Sequence, residues 1–175
     1  MMIWKAMPAT VRLSDIVDAL EAQFDESRSF LDLDSGEVET VSLDLLSEAE
    51  DGEEDLDLPE CQEPEWELAK RIASSNRFVR LPTKYDVHEW QIMDDFSRSV
   101  QSAKVRDELL DAIHGAGAFR NFKSTLRRRR MEQDWFAFRE DALQQIARDW
   151  CPEQHVTWEE TGRRVREYSG SDPGL

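Results

Sequence analysis

The stretch Ser29–Leu43, "SFLDLDSGEVETVSL", decides the fold class. Leu31 and Leu33 alternate with Asp32 and Asp34, Ser35-Gly36 turns the chain, and Val38 and Val41 follow. Period-two alternation marks a half-buried strand, and glycine supplies the positive φ that a tight turn needs. The spacing predicts a β-hairpin. The same residues read D-x-D-x-G, which invites comparison with a calcium loop. An EF-hand loop needs glycine at its sixth position and a bidentate glutamate at its twelfth. Counted from Asp32, those positions hold Glu37 and Leu43, so the turn reading prevails.

On either side of the hairpin the apolar period changes to that of a helix. Upstream, Leu13, Ile16, Val17, Leu20 and Phe24 form one stripe, with Ser14 as N-cap and Asp15 in the first turn. Downstream, "NRFVRLP" has the composition of a short strand ending at Pro82. Asp86 with Glu89 three residues later resembles a capping box, opening a helix through Glu89, Ile92, Met93, Phe96 and Val100. A further helix carries Val105, Leu109, Ala112, Ile113 and Ala116 and stops at Gly115-Ala116-Gly117. Phe119, Phe122 and Leu126 then share an inward face, with Arg120, Lys123 and Arg127 on another. The last long helix places Trp135, Phe138, Ala142, Ile146 and Trp150 together, widened by Phe136, Leu143 and Ala147, and is expected to end at Pro152.

The expected fold class is therefore α+β. An N-terminal helix and a small antiparallel β-hairpin sheet of about three strands accompany a helical C-terminal half. Residues 1–47 form the N-terminal helix plus hairpin, and 48–67 an acidic flexible arm. Residues 68–160 supply the strand and helical region that completes one domain, and 161–175 a polar tail. The arm holds eleven acids and no base, with Trp66 and Leu68 placed to anchor its far end.

The charge is unevenly divided. Of a net −16, residues 1–75 carry all of it (21 acids against 5 bases), while 76–175 hold 17 of each. So acidic a chain repels nucleic acid at long range, because affinity there rests on neutralising phosphates. The two cysteines, Cys61 and Cys151, lie far apart and suggest no disulfide framework. No apolar run is long enough for a membrane span, and the opening "MMIWKAMPAT" is too short in apolar residues for a signal peptide. The expectation is a soluble cytoplasmic protein.

Chemistry-bearing motifs are sparse. His88, His114 and His155 have no H-E-x-x-H frame, and Cys151 with His155 is half a zinc site. There is no nucleophile elbow, P-loop or dinucleotide fingerprint. No catalytic residue, metal or cofactor is assigned, and a non-enzymatic role is favoured. The best candidate is an anion or ligand site comprising Gly115, Gly117, Arg120, Lys123, Arg127 and Arg128. Its glycines would allow close backbone approach, and its bases could close on a phosphate. Structurally, one glycine could instead end a helix while the other lets two helices cross closely. The run Arg127–Arg130 is expected to be partly neutralised by the acidic arm.

Three blocks, "FLDLDSGEV" (Phe30–Val38), "GAFRNFKSTL" (Gly117–Leu126) and "WFAFRE" (Trp135–Glu140), together resemble the bacterial uncharacterised protein family 0158. The resemblance covers most of Phe30–Trp150. Where the family pattern carries a second basic residue after the GAFR arginine, this chain has Asn121. The resemblance implies a small bacterial intracellular protein and brings no activity or catalytic residues with it. Two readings follow. The favoured one is a non-enzymatic interaction or regulatory protein with an unidentified protein partner. The alternative is a nucleic-acid or phosphate-ligand binder working through the GAFRNFK-RRRR region.

Overall fold

The computed structural model describes residues 9–54 and 56–160. The polar tail expected at 161–175 lies outside the described residues. The chain begins with β1 (Thr10–Arg12) and α1 (Leu13–Glu21), then the hairpin strands β2 (Ser27–Asp32) and β3 (Val38–Ser42). Next come α2 (Leu43–Glu50), α3 (Glu63–Ser74), β4 (Phe78–Arg80), α4 (Lys84–Val87) and α5 (Glu89–Ser99). It closes with α6 (Ala103–Ala112), α7 (Ala118–Arg129), α8 (Glu132–Glu153) and β5 (Thr157–Glu159). The fold is α+β, with an antiparallel sheet in the order β3-β2-β4 and a two-stranded parallel ladder of β1 with β5. Among the described residues no helix is long and apolar enough to cross a membrane.

Strand alternation makes the sheet two-faced. Leu31 pairs with Val38 on one side and Val79 on the other, and all three pack into the main core. Phe30, Val41 and Phe78 point the other way, into a second cluster with Leu45, Leu46 and Trp66. Helices α2 and α3 therefore cover the second face. This corrects the reading of 48–67 as an arm: residues 48–50 belong to α2 and 63–67 to α3. Leu56 and Leu58 in the connection also pack against that cluster. The expected anchors, Trp66 and Leu68, are buried there. Acidity did not prevent folding because the acids face solvent while every third or fourth residue reaches the sheet.

The D-x-D-x-G turn is a structural clasp. Asp32 is buried and receives a bidentate pair from Arg77, with Nε donating at 2.7 Å. It also accepts the Asp34 N–H at 3.0 Å, while Asp34 forms an outer ion pair with Arg77 at 3.3 Å. Gly36 has φ +76°, and a Cβ there would lie 2.8 Å from the Thr10 carbonyl oxygen. The hairpin turn and β1 can meet only because that position is glycine.

Several boundaries differ from the periodicity. Helix α1 starts at Leu13, with Arg12 rather than Ser14 at the N-cap position, because β1 runs directly into it. It ends at Glu21, so Phe24 lies beyond the stripe, on the surface. The capping box is Thr83 with Asp86, opening the short α4. Asp86 accepts the Thr83 N–H at 2.7 Å and its hydroxyl at 2.8 Å, which holds its carboxyl below the usual range. Helix α5 starts afresh after His88, which takes a left-handed φ of 50°. Helix α8 continues through Pro152 by one residue. The β1–β5 ladder had no signal, since three-residue strands carry too little pattern to read.

Gly36→Ala should destabilise the fold by more than about 3 kcal/mol in chemical denaturation, from overlap added to left-handed strain. Gly52→Ala, at φ +85° with nothing within 4 Å of its Cβ, should lose only about 1 kcal/mol. Equal losses would refute the close approach of β1.

Acid titration should reveal the clasp. The Arg77 hydrogen bonds hold Asp32 below its ordinary 3.8, against the opposing effect of burial. A depressed folded value means stability that is present above 3.8 and lost as pH falls through the folded value. Asp32→Asn should cost about 2 kcal/mol at pH 7 and flatten the acid limb of the stability profile. An unchanged acid limb would contradict this.

Candidate functional site

The GAG turn and α7 place the residues singled out from sequence. Gly115 and Gly117 have φ of +83° and +77°, and Gly117 is the N-cap of α7. No atom lies within 4 Å of a Cβ at Gly115, and at Gly117 the nearest is the Arg120 guanidinium at 3.6 Å. These glycines are required by backbone conformation and not by helices crossing closely. Ala116, expected on the preceding helix, is exposed in the turn. The turn is tied to α5 through Trp90, whose Nε1 donates to the Ile113 carbonyl at 3.1 Å. The Trp90 ring also packs 6.4 Å from that of His114.

The six candidate residues do not converge. Arg120 and Lys123 sit near the start of α7, and among the described residues no ion pair reaches either. Arg127 and Arg128 lie near its other end, about 10 Å along the axis at 1.5 Å per residue. There Arg127 pairs with Glu132 at 3.5 Å, and Arg128 with Glu108 at 3.4 Å. Arg129 clasps the same Glu108 with two nitrogens and holds its carboxyl below its usual range. Glu108 and Glu132, rather than the acidic arm, are thus the partners of the arginine run.

Helix geometry explains the run itself. Arg127, Arg128 and Arg129 occupy the last turn, where cations complement the dipole. The chain then leaves through Arg130 at φ 56°, with Arg130 N–H bonding Arg127 O and Met131 N–H bonding Leu126 O. This is the Schellman pattern.

Beneath α7 lies an aromatic core. The Phe122 and Trp135 rings meet edge to face at 4.9 Å, and Phe96 touches both as well as Phe138. Phe122, Trp135 and Phe138 therefore pack together as their spacing predicts. Phe119 does not. It is the second residue of α7, ahead of the crossing, and stays half exposed. Phe136, expected to widen the inward face of α8, is also turned out.

A second pattern emerges from these exceptions. Among the described residues five large hydrophobics are exposed: Phe24 (72%), Tyr85 (69%), Trp90 (43%), Phe119 (50%) and Phe136 (44%). Two of them, Phe119 and Phe136, meet Glu89 at the N-terminus of α5 in one groove. There Arg139 of α8 donates to Glu89 of α5, with Nη2 at 3.1 Å, and to Glu21 of α1 at 3.3 Å. Trp90 follows Glu89, Tyr85 precedes it by one turn of α4, and Phe24 lies three residues beyond Glu21. The loop bearing Phe24 is joined to the start of α4, which bears Tyr85, by Gln23 donating to the Pro82 carbonyl and by the Lys84–Asp25 pair.

Phe119 and Phe136 flank a groove of about 340 Å³ with Met93, Phe122 and Trp135 along its walls. Its charged lining is Glu89, Arg139 and Lys123. Glu89 is held by Arg139, which Glu21 also shares, and among the described residues no ion pair reaches the lysine.

The chain matches the model of the Uncharacterised protein family (UPF0158) over residues 6–161. It belongs to that family. No curated protein and no solved structure matches it. All three blocks that carry the family resemblance have structural tasks: the Asp32–Arg77 clasp, the GAG turn with α7, and the start of α8 with Arg139.

Elsewhere, a cleft of about 420 Å³ lies between Arg80–Pro82 and the last turns of α8 near Asp149 and Trp150. Its walls mix Arg80, Asp86, Asp149 and Glu153 with Leu81, Pro82, Ile146 and Trp150, of which Leu81 and Trp150 are buried. Cys151 is buried, and burial pushes its thiol up to about 11, so it stays protonated and inert at neutral pH. Among the described residues no group of three or more His, Cys, Asp or Glu side chains could hold a metal, and His155 lies exposed beyond α8.

Phe122→Ala should cost about 3–5 kcal/mol of stability, whereas Phe119→Ala should change it by less than about 0.5 kcal/mol. Denaturation of the two variants side by side checks this. Comparable losses would put Phe119 in the core.

Proposed function

We propose that this protein is a non-enzymatic interaction module whose docking face is the aromatic surface around the N-terminus of α5. The observation that carries the reading is the pair of exposed rings, Phe119 and Phe136, that flank a preformed groove beside Glu89, with exposed Trp90 next to Glu89 in sequence. Scattered exposed apolar residues are ordinary, whereas a cluster rimmed by polar groups marks an interaction site. Rings anchor protein interfaces well because they bury large area at little entropic cost.

A further feature supports binding at the groove. The shifted carboxylates, Asp32, Asp86, Glu108 and Glu160, are each accounted for by an ion pair or a helix cap. None of them lines the groove.

The alternative reading, a phosphate bound at Gly115–Lys123, draws on Arg120 lying beside the left-handed Gly117 at the start of α7. It is weakened by the pairing of Arg127, Arg128 and Arg129 with glutamates, which leaves few cations for a polyanion.

The test is affinity capture from cells that make the protein, with the full chain compared against a Phe119→Glu/Phe136→Glu variant, in lysates with and without nuclease. A protein partner lost with the double variant and insensitive to nuclease is the expected result. Capture that disappears with nuclease would favour the phosphate reading. Capture unaffected by the double variant would remove this face as the docking site.

A further inference from the structure

The groove between α5, α7 and α8 also constrains what can sit in it. Its apolar walls are Met93, Phe119, Phe122, Trp135 and Phe136, enough to enclose a large apolar side chain. Burying such a side chain is favourable for any partner that carries one. That alone selects no partner.

Charge does. The lining acid, Glu89, is already held by Arg139 together with Glu21, so a partner approaching the groove meets in Lys123 a charge that has no ion pair among the described residues. Arg120 lies one turn back on the same helix, also without an ion pair among the described residues. Of the five basic residues of α7, Arg127, Arg128 and Arg129 are paired with Glu132 and Glu108 near its far end, which leaves Lys123 on the groove and Arg120 one turn away.

Resting on the docking face proposed above, we infer that the groove takes a protein segment bearing a large apolar side chain flanked by carboxylates. The apolar side chain enters between Phe119 and Phe136. A neighbouring Asp or Glu meets Lys123, and a second can reach Arg120. A basic segment would leave Lys123 facing like charge in a partly desolvated site, which costs binding free energy and rejects it. Nucleic acid fits less well. Two unpaired cations release few counterions, and the whole-chain charge opposes its approach.

The experiment pans a displayed library of short random peptides against the full chain and measures the selected peptides by fluorescence anisotropy. Selected sequences are expected to combine Phe, Trp or Leu with Asp or Glu. Phe119→Ala and Lys123→Glu should each weaken them by about tenfold or more. Both residues are exposed, so circular dichroism should report intact folds. Exchanging the peptide's acids for lysine should restore binding to Lys123→Glu and abolish it on the unaltered chain.

Selected peptides that need Phe119 but are neutral or basic would overturn the acidic partner while leaving the docking face standing. Peptides indifferent to Phe119→Ala and Phe136→Ala, or no selection at all, would overturn both. A labelled oligouridylate that binds more tightly than any selected peptide, and is lost with Lys123→Glu, would overturn the inference in favour of single-stranded nucleic acid stacking on the exposed rings.

Discussion

Arg139 is the point on which the proposed surface depends. Its planar guanidinium reaches Glu89 with two nitrogens and Glu21 with a third, joining α8 to α5 and α1 across wide separations in sequence. A planar fork with fixed donors suits such a task better than a lysine would. The pairs are largely shielded from water, so losing the arginine would leave two carboxylates facing each other at the edge of the core. Each element that the arginine fixes carries or leads to an exposed ring: Phe136 on α8, Trp90 on α5, and Phe24 just past α1. Trp90, Phe119 and Phe136 thus stand on helices, which limits the ordering entropy lost on docking.

Behind that surface the sheet organises two cores. Phe30 and Leu31 are adjacent in sequence and point into different clusters. The smaller cluster is closed by the acidic helices α2 and α3, and the larger by the helical half with its Phe96–Phe122–Trp135 contacts. The strong negative charge therefore belongs to the layer over one face of the sheet. The cationic helix α7 belongs to the half that packs on the other.

Much of this was legible in the sequence, and the failures have definite physical causes. Alternation at Leu31 and Leu33 and the turn at Gly36 disclosed the hairpin, and helical spacing located Phe122, Trp135 and Phe138 in one core. Periodicity failed at helix ends. Phe24, Phe119 and Phe136 fit inward stripes by spacing, but two lie at or beyond a helix terminus and the third on the outer flank of α8. Phe119 and Phe136 among them flank the groove on which the proposed surface is built. The acidic stretch was misjudged because composition outweighed the few apolar residues, Leu56, Leu58 and Trp66, that hold it down. Nothing local could have linked Arg77 to Asp32, or Arg139 to Glu89 and Glu21, since these pairs are set by tertiary packing.

The interaction reading makes the α5 junction the one place where a partner should be in atomic contact. Site-specific photocrosslinking in living cells examines this directly, with a benzophenone side chain placed singly at positions 119, 136 and, as a remote control, 44 on α2. Adducts to the same protein from 119 and 136, and none from 44, are the expected result. Adducts from all three positions alike, or from 44 alone, would contradict the assignment of this face.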